Sequence, residues 1–402
     1  MKILHTADWH LGKRLDSIYR LEEQKLVLNE ICEIADTQDV DAVIVAGDLF
    51  DAFNPPVEAI DLLYKTLKRL TKNGKRPVIA IAGNHDSPNR IDSPEPLARE
   101  CGILFMGLPN TKIATLQLED GFEITNTDEG FIEFKLPSYD YPLRIIATPY
   151  ANEMRMKEFF GEEKEVALQN SLKNSWGKLA STYCDDSGVN MLATHLYMLK
   201  RGGEILEEPD GEKPLKIGNA DLIYSDTIPA QIQYAALGHL HRYQNVGTDE
   251  QPVVYSGSPL AYSFAEAGQQ KYVSIIKAEP NKNVTLERVP LKQGKQLVCK
   301  KFNNIDLAVE WLQDNQNTLV ELTIESDDYL KSEDLKRLRN AHNQIVHIIP
   351  IVTNDTLLDA NTRQVNLNQD ITALFTDYFK SEKGQNPNQE ILDLFKEVIN
   401  QK

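Results

Sequence analysis

The chain has 402 residues, of which 41% are hydrophobic and 8% aromatic, a composition that is typical of a folded protein and excludes a disordered one. The formal net charge of −17 argues against nucleic-acid binding, because a polyanion is usually held by a basic face. If DNA is bound, local basic residues or a partner must supply the attraction. At this length we expect two or three domains.

The first hundred residues alternate between strand and helix patterns. The apolar runs in KILHTADWH, DAVIVAGDLFD and PVIAIAGNHD are typical of buried strands. Helices are predicted from Tyr19 to Asp36, where apolar residues recur at helical spacing, and in VEAIDLLYKTLKRL after Pro55 and Pro56. Apolar strands separated by helices favour an α/β fold in which both faces of the sheet are covered.

Shorter strands are predicted from about residue 120, followed by a helix near residues 154–181. Three more strands, in VNMLATHLYM, QYAALGHLHRY and PVVYSGSP, precede a hairpin with a PNKN turn. We assign residues 1–290 to one domain with a two-layer core.

A small α+β domain with a β-α-β-α-β pattern is predicted for residues 291–356, and it begins with a linker, LKQGKQ, at residues 291–296. Residues 357–402 are predicted to form C-terminal amphipathic helices around a flexible polar stretch, KSEKGQNPNQ. Their apolar residues are Ile371, Leu374, Phe375, Tyr378 and Phe379 in the first segment and Ile391, Leu392, Leu394, Phe395, Val398 and Ile399 in the second. Most such stripes pack on their own domain.

The four cysteines form no CxxC pair, which argues against a thiolate zinc ribbon and a disulfide framework. One of the longest apolar runs, Ile345–Val352, is much shorter than the ~20 residues of a membrane helix. The N-terminus lacks the apolar core of a secretory signal. We therefore expect a cytoplasmic protein that makes no membrane contact.

Potential metal ligands follow the ends of five predicted strands. They are Asp8 and His10, then Asp48 with Asp51, then Asn84, His85 and Asp86, then His195, and finally His239 and His241. Strand ends in an α/β sheet open onto one crevice, so we expect these groups to meet there. Residues two apart share one side of an extended segment, and glycine before Asp48, Asn84 and His239 allows close backbone approach.

The donors are oxygens and imidazole nitrogens, which suit Mn²⁺, Fe or Zn²⁺. Seven of them are too many for one ion: Asp8, His10, Asp48, Asn84, His195, His239 and His241. If Asp48 bridges, each of two ions has four protein ligands. Two ions about 4 Å apart activate a shared water and hold the oxygens of a phosphoryl group. His85 then remains unligated, to stabilise charge or to protonate the leaving oxygen, with Asp86 or a nearby carboxylate orienting its ring.

Each residue also has an ordinary structural interpretation. A lone buried histidine such as His195 is usually a core residue, and Asp48 after glycine is able to cap a turn. We assign His5 to the core and expect Asp51 to support the ligands rather than to be one. The joint occurrence of all five motifs in order favours a metal site.

The motifs DWH, GDLFD, GNHD, TH and GHLH, in this order, resemble those of the calcineurin-like metallophosphoesterases. With its flanking residues HTADWHLGKRL and AGNHDSPNR and its small downstream domain, the chain is similar to the nuclease subunits of bacterial SbcCD complexes, a double-strand-break repair family. The resemblance implies a two-layer β-sandwich flanked by helices, with a small α+β capping domain. It also implies that Asp8, His10, Asp48 and His241 hold one manganese, that Asp48, Asn84, His195 and His239 hold the other, and that His85 is catalytic.

The same resemblance implies an activity and partners. Members of the family act in DNA repair, recombination and replication, as 3′-5′ exonucleases on double strands and as endonucleases on single strands or hairpins. The implied partners are DNA, an SMC-like ATPase (SbcC) that alone binds ATP, and a second copy in a homodimer within a heterotetramer. The C-terminal helices would dock on the ATPase in the helix-in-groove manner, and the protein would work at the nucleoid.

Two other functions are considered. A phosphodiesterase acting on cyclic nucleotides or small molecules would leave the residues after 290 without a purpose, and a non-catalytic scaffold would be expected to lack ligands that are all present here. Candidates for facing DNA lie close to the motif ends: Lys13, Arg14, Arg90, Arg201 and Arg242. Ordinary surface charge is the alternative, because Asp16 and Asp92 are interleaved with them.

Overall fold

The computed structural model describes residues 1–161, 163–203, 222–328 and 330–353 and the scattered positions 372, 374–376, 379, 387, 391–392 and 395. The chain divides into two compact units. The first is Met1–Lys300 with Asp314–Leu322 and His342–His347, and the second is Lys301–Gln313, Thr323–Ala341 and Ile348–Lys402. The predicted domain boundaries after residues 290 and 356 stay predictions. Several residues of the predicted C-terminal helices lie outside the described residues, namely Ile371, Tyr378, Leu394, Val398 and Ile399.

The strands of the described residues are, in chain order, β1 Lys2–Thr6, β2 Arg14–Leu15, β3 Ile18–Tyr19, β4 Ala42–Ala46, β5 Val78–Ile81, β6 Ile103–Met106, β7 Leu116–Gln117, β8 Glu123–Asp128, β9 Phe131–Lys135, β10 Leu143–Thr148, β11 Val189–His195, β12 Met198–Leu199, β13 Ile223–Tyr224, β14 Tyr234–Gly238, β15 Gln244–Asn245, β16 Val253–Tyr255, β17 Tyr272–Lys277, β18 Thr285–Pro290, β19 Gln296–Phe302, β20 Thr318–Ser326 and β21 Ile345–Val352. The helices are α1 Leu21–Thr37, α2 Val57–Leu70, α3 Pro88–Asp92, α4 Glu95–Glu100, α5 Glu153–Met156, α6 Lys164–Tyr183, α7 Ile305–Asp314 and α8 Ser332–Ala341. In the described part of the chain, no helix is both long and apolar enough to span a bilayer.

Two large sheets form the core of the first unit. One has six strands in the order β18-β17-β1-β4-β5-β6, and the other has eight in the order β15-β16-β14-β11-β10-β9-β8-β7. Strands β1, β4, β5 and β6 are parallel, as are β10, β11, β14 and β16. The carboxyl ends of several neighbouring strands therefore meet at one edge of each sheet.

Strand β4 illustrates why the central strands are apolar throughout. Its Ala42, Ile44 and Ala46 belong to the core between the two sheets, whereas Val43 and Val45 pack in the core that includes helices α1 and α2. Both faces of the strand are covered, so no position tolerates a polar side chain. Helix α6 covers the outer face of the other sheet. The predicted two-layer sandwich flanked by helices is confirmed.

The structure corrects two details of the predicted elements. The helix predicted near residues 154–181 is instead two helices, α5 and α6, because Lys157 has a left-handed φ of 56° that ends α5. The predicted linker at 291–296 is held in place: the amide of Lys292 donates to Glu30 and that of Lys295 donates to Glu23, both on helix α1. The β-α-β-α-β order that follows, β19 to β21, is confirmed.

Candidate metal centre

The predicted site residues follow strands of both sheets. Asp8, Asp48 and Asn84 follow β1, β4 and β5 of the six-stranded sheet, whereas His195 ends β11 and His239 follows β14 of the other. Backbone hydrogen bonds join two of these loops, from the Asp8 amide to Gly47 at 3.0 Å and from the His10 amide to Asp48 at 2.9 Å. The tertiary structure thus brings the five motifs together at one edge of the sandwich.

Four of the seven predicted ligands have left-handed backbone conformations. The φ angles are 54° at Asp8, 44° at His10, 47° at Asp48 and 106° at His239. Such conformations are unfavourable for residues other than glycine and persist where the surrounding structure enforces them. Four of the eleven non-glycine residues with positive φ in the described part of the chain are thus predicted ligands.

The glycines before three of the ligands provide the predicted close approach. A Cβ atom on Gly47 would lie 2.2 Å from His195 Nδ1, and one on Gly238 would lie 1.8 Å from the Ala46 carbonyl oxygen. A Cβ atom on Gly83 would lie 2.1 Å from Asp48 Oδ1 and 2.2 Å from the Asp48 amide nitrogen. No side chain fits at these positions without displacing a site residue.

We expect Gly83→Ala to displace Asp48 and to destabilise the protein by about 1–3 kcal/mol, as overpacking of a tight site does. Gly177→Ala is the matched control, because a Cβ atom there has no neighbour within 4 Å and alanine favours the helix by up to about 1 kcal/mol. Urea denaturation of both variants and calorimetric titration with Mn²⁺ measure the two effects. Wild-type stability and wild-type metal binding in Gly83→Ala would contradict the prediction.

One half of the site contains His10, His241, Asp8 and Asp48. The Nε2 atoms of His10 and His241 lie 3.0 Å apart, and His10 Nε2 is 3.5 Å from Asp48 Oδ2. All four side chains are almost completely buried. Asp8 Oδ2 has no hydrogen-bond partner, although a buried carboxylate oxygen normally has one.

The other half contains His195, His239, Asn84 and again Asp48. His195 Nε2 lies 3.3 Å from Asp48 Oδ2 and 2.9 Å from Asn84 Oδ1, and His239 Nδ1 lies 3.1 Å from the same amide oxygen. Asp48 Oδ2 thus faces one histidine of each half. His239 Nε2 is a second buried atom without a partner. Converging oxygen and imidazole donors with unsatisfied atoms fit divalent cations.

Burial and close charges shift the pKa values of these groups. Burial raises the pKa of Asp8 to about 7 and lowers the pKa of His10 and of His239 to about 3. Burial also acts on His195, but the carboxylates of Asp48 and Asp8 outweigh it and raise its pKa to about 9. Burial opposes the charged form of Asp48, yet the surrounding histidines, His195 first, hold its pKa well below the usual range.

These shifts predict that metal binding strengthens as the pH rises. Asp8 keeps its proton up to about pH 7 and His195 up to about pH 9, so below those values a cation must displace protons to reach its ligands. Titration with Mn²⁺ at about pH 6.5 and about pH 8.5, in buffers of different ionisation enthalpy, should show weaker binding and more proton release at the lower pH. An affinity that does not change with pH would contradict the prediction.

The stability of the metal-free fold has the opposite dependence on pH at Asp8. Because the carboxyl pKa is raised in the folded state, the contribution of Asp8 to stability declines as the pH rises from 3.8 to about 7.

His85 lies beside the seven residues, and its ring is half-buried. Its amide donates to Asp48 Oδ1 at 2.9 Å, and its Nδ1 is 2.9 Å from the Asp51 carbonyl oxygen. A carbonyl only accepts, so Nδ1 carries a proton and Nε2 is the nitrogen that remains for the site. The backbone of Asp51, rather than the carboxylate of Asp86, orients the ring.

Asp86 has a different task from the predicted orientation of His85. Its carboxylate accepts from the amides of Leu49, Phe50 and Gly83 at 3.0, 2.9 and 2.8 Å, whereas Nδ1 of the His85 ring contacts the Asp51 carbonyl. The Arg155 guanidinium donates to the carbonyls of Gly83 and Asp86, both at 2.8 Å. Asp86 and Arg155 therefore hold together the two loops that carry Asp48 and Asn84.

The carboxylate of Asp51 lies next to the cluster. Its Oδ1 is 3.6 Å from His10 Nδ1 and 3.0 Å from Lys13 Nζ. Donor atoms of His10, Asp51 and His85 also lie within 4.8 Å of one another. Because Asp51 faces the nitrogen of His10 that points away from His241 and Asp48, its placement suits a supporting residue.

Sequence reasoning missed the residues that hold the DWH loop. Gln24 Nε2 donates to the His10 carbonyl at 2.8 Å and to the Tyr262 hydroxyl at 3.1 Å, and that hydroxyl donates to the Trp9 carbonyl. Gln24 is buried on helix α1, three residues after Leu21 and four before Leu28. A polar residue within an apolar helical stripe was the signal for it.

Two further buried residues, Glu266 and Lys271, were also missed. Glu266 Oε1 lies 3.5 Å from His241 Nδ1 and accepts from the amides of Tyr262 and Ser263 at 2.9 and 3.1 Å. Glu266 Oε2 accepts from Lys271 Nζ. The S-x-x-E pattern from Ser263 to Glu266 is that of a capping box, which the structure contains, but it signals a helix start rather than a site residue.

The basic residues predicted to face DNA differ in their surroundings. Arg14, Arg90, Arg201 and Arg242 are exposed. Lys13 is half-buried against Asp51, and Arg201 pairs with Asp226 at 2.7 Å. Carboxylates thus offset two of the five positive charges. That these five residues face DNA stays a prediction.

Comparison with known proteins agrees with this geometry. Residues 1–243 match the calcineurin-like phosphoesterase family. Over 408 residues the chain is 36% identical to the D subunit of nuclease SbcCD from Bacillus subtilis (strain 168), an alignment covering 99% of this chain and 97% of that protein. The D subunit of nuclease SbcCD from Staphylococcus epidermidis (strain ATCC 12228 / FDA PCI 1200) is 26% identical over 406 residues, with 99% and 98% covered. The chain therefore belongs to the calcineurin-like phosphoesterases and, within them, to the family of SbcCD nuclease D subunits.

Proposed function

We propose that the chain is a manganese-dependent DNA nuclease with two cations in the described centre. The fold family implies divalent metal ions. Asp8, His10, Asp48 and His241 would hold one, and Asp48, Asn84, His195 and His239 the other. The observation that carries this proposal is the position of Asp48, whose Oδ2 faces His10 at 3.5 Å and His195 at 3.3 Å.

When bound, the cations would supply an activated water and positive charge against a phosphoryl group. The chain itself positions the groups around them. Asp86 and Arg155 hold the loops of Asp48 and Asn84, and Gln24 and Tyr262 hold the loop of His10. The half-buried His85, with its Nδ1 on the Asp51 carbonyl, is placed to stabilise charge or, once Nε2 is protonated, to give that proton to the leaving oxygen.

The proposed substrate is DNA, cut by 3′-5′ exonuclease action on double strands and by endonuclease action on single strands and hairpins. This part rests on relatives named as D subunits of nuclease SbcCD, which match nearly the whole chain. The competing phosphodiesterase for cyclic nucleotides or small molecules does not account for similarity that extends through the C-terminal third. A non-catalytic scaffold does not account for a complete set of donors.

A side-by-side assay tests the substrate. Linear duplex DNA and a nitrophenyl phosphodiester are incubated with the protein and Mn²⁺, with a chelator as control. We expect metal-dependent release of nucleotides from DNA at a kcat/KM above that for the small ester. Hydrolysis of the small ester alone would overturn the nuclease proposal, and no hydrolysis of either would favour the scaffold.

We also propose that the chain acts in DNA repair as a homodimer within a heterotetramer with the SMC-like ATPase SbcC, through which alone ATP acts. With a net charge of −17, the isolated protein should bind DNA weakly and with strong salt dependence, and the partner should supply most of the affinity. In the described part of the C-terminal segments, the rings of Phe375 and Phe395 stack at 3.9 Å between centroids. Because these two residues, one from each segment, contact each other, we propose that the segments dock as a pair.

Truncation after Lys380 removes the second segment and with it Phe395. We expect this variant to lose co-purification with the ATPase, because half of the proposed docking pair is absent. Pull-down of tagged partner, with metal titration of the truncated chain as the control for folding, measures the effect. Partner binding that survives the truncation would contradict the docking proposal.

A further inference from the structure

Behind His241 lies a buried ion pair to which the motifs assign no role. Glu266 is 1% exposed and Lys271 is 9% exposed. Besides Glu266, the Lys271 ammonium donates to the His241 carbonyl at 2.9 Å and to Ser258 Oγ at 3.1 Å. The pair therefore contacts His241 at both its ring and its backbone.

A buried ion pair of this kind contributes little stability compared with apolar residues of similar size. Desolvating two charges offsets most of their attraction, so the attraction alone is a weak reason for the pair. Glu266 also caps the turn that begins at Ser263, but that contact does not involve Lys271 or the His241 ring. A carboxylate behind a metal-ligating histidine has a known physical effect, however. It accepts the proton of one ring nitrogen and so leaves the other nitrogen as a lone pair of higher basicity.

The geometry at His241 matches that effect. Glu266 Oε1 is 3.5 Å from Nδ1, and Nε2 points towards His10 Nε2 at 3.0 Å. A proton on Nδ1 leaves Nε2 free of hydrogen on the side where the donors converge. The Lys271 ammonium offsets the charge of Glu266. The carboxylate can therefore accept the Nδ1 proton of His241 without adding net negative charge next to the metal ligands.

We propose that Glu266 and Lys271 are positioning residues for His241, which fix its tautomer, ring and backbone for one of the two cations. This inference rests on the proposed function, in which His241 is a metal ligand. The pair does not contact the substrate or the reacting atoms.

The proposed effect is confined to one cation. His10, the other histidine of that half, faces the carboxylate of Asp51, which is itself paired with Lys13. In the other half, His195 Nδ1 lies 2.9 Å from the Ala46 carbonyl, which is part of the main chain and independent of Glu266. Loss of Glu266 should therefore weaken the cation at His10 and His241 and leave the cation at His195 and His239 unchanged.

Calorimetric titration of the full chain with Mn²⁺ tests the proposal without an activity assay. We expect wild-type protein to bind two equivalents, and Glu266→Gln to bind one of them about 10–100-fold more weakly, the range for loss of such a partner. Glu279→Gln is the matched control, because Glu279 forms an exposed pair with Lys282, and it should titrate like wild type.

Glu266→Gln leaves the Lys271 ammonium buried without its carboxylate, so the variant is at risk of unfolding. The double variant Glu266→Gln/Lys271→Met removes both charges, and circular dichroism checks that it folds. One weakened equivalent in the folded variant supports the proposal. Two equivalents of wild-type affinity, or equal weakening of both, would overturn it, because the pair would then be dispensable or merely structural. Wild-type protein that binds no cation would instead defeat the proposed function itself.

Discussion

Asp48→Asn should abolish metal-dependent hydrolysis. Removal of one electrostatic contact to a transition state lowers kcat by about 10²–10³-fold, and the loss here should be larger. The carboxylate faces His10 in one half of the centre and His195 in the other. Asparagine keeps the shape of the side chain but not the charge that both proposed cations would need. Calorimetry with Mn²⁺ and a nuclease assay on linear duplex measure the two losses.

The same substitution should destabilise the metal-free protein. The surrounding histidines, His195 first, hold the pKa of Asp48 well below the usual range, so the charged carboxylate stabilises the metal-free fold and asparagine removes that contribution. Asp51→Asn is a useful comparison, because it keeps the backbone carbonyl that contacts His85. Its Mn²⁺ affinity and activity should fall by about 10–100-fold at most. Two equivalents of Mn²⁺ bound to Asp48→Asn with wild-type affinity would exclude Asp48 as the shared ligand.

His85→Ala should lower kcat by about 10²–10⁴-fold, the usual contribution of a general acid or base, while metal binding is retained. His85 contacts Asp48 through its amide, and that contact survives the substitution, whereas the ring is lost. Single-turnover cleavage of duplex DNA measures the rate, and Mn²⁺ titration serves as the control. An unchanged kcat would remove His85 from the reaction.

A substrate comparison then separates the two roles left open for His85. Nitrophenolate leaves without a proton, whereas the sugar oxygen of DNA needs one. If His85 gives that proton, His85→Ala should slow DNA cleavage far more than nitrophenyl ester cleavage. Equal losses on both substrates would indicate stabilisation of charge instead.

Much of the fold follows from local pattern. The continuous apolar character of VIVA in β4 indicated a strand covered on both faces, and the core between the sheets and the core beneath α1 and α2 cover those two faces. The glycines before Asp48, Asn84 and His239 indicated that neighbouring atoms approach the backbone closely at these positions. A Cβ atom at any of the three would overlap such a neighbour. The order of the five motifs was sufficient to nominate all seven of the proposed ligands, together with His85. The extended backbone assumed for the D-x-H pair was wrong, because Asp8 and His10 have left-handed φ angles.

Only the tertiary structure decided how these residues are held. The left-handed backbone at Asp8, His10 and Asp48 is imposed by contacts with distant loops. The partner that orients His85 is the Asp51 carbonyl, and every residue has a carbonyl, so no sequence pattern identifies it. Gln24 and Glu266 reach the ligand loops across 14 and 25 positions. Local sequence determines strands, helices and donor types, whereas contacts between distant segments form only when the two sheets pack.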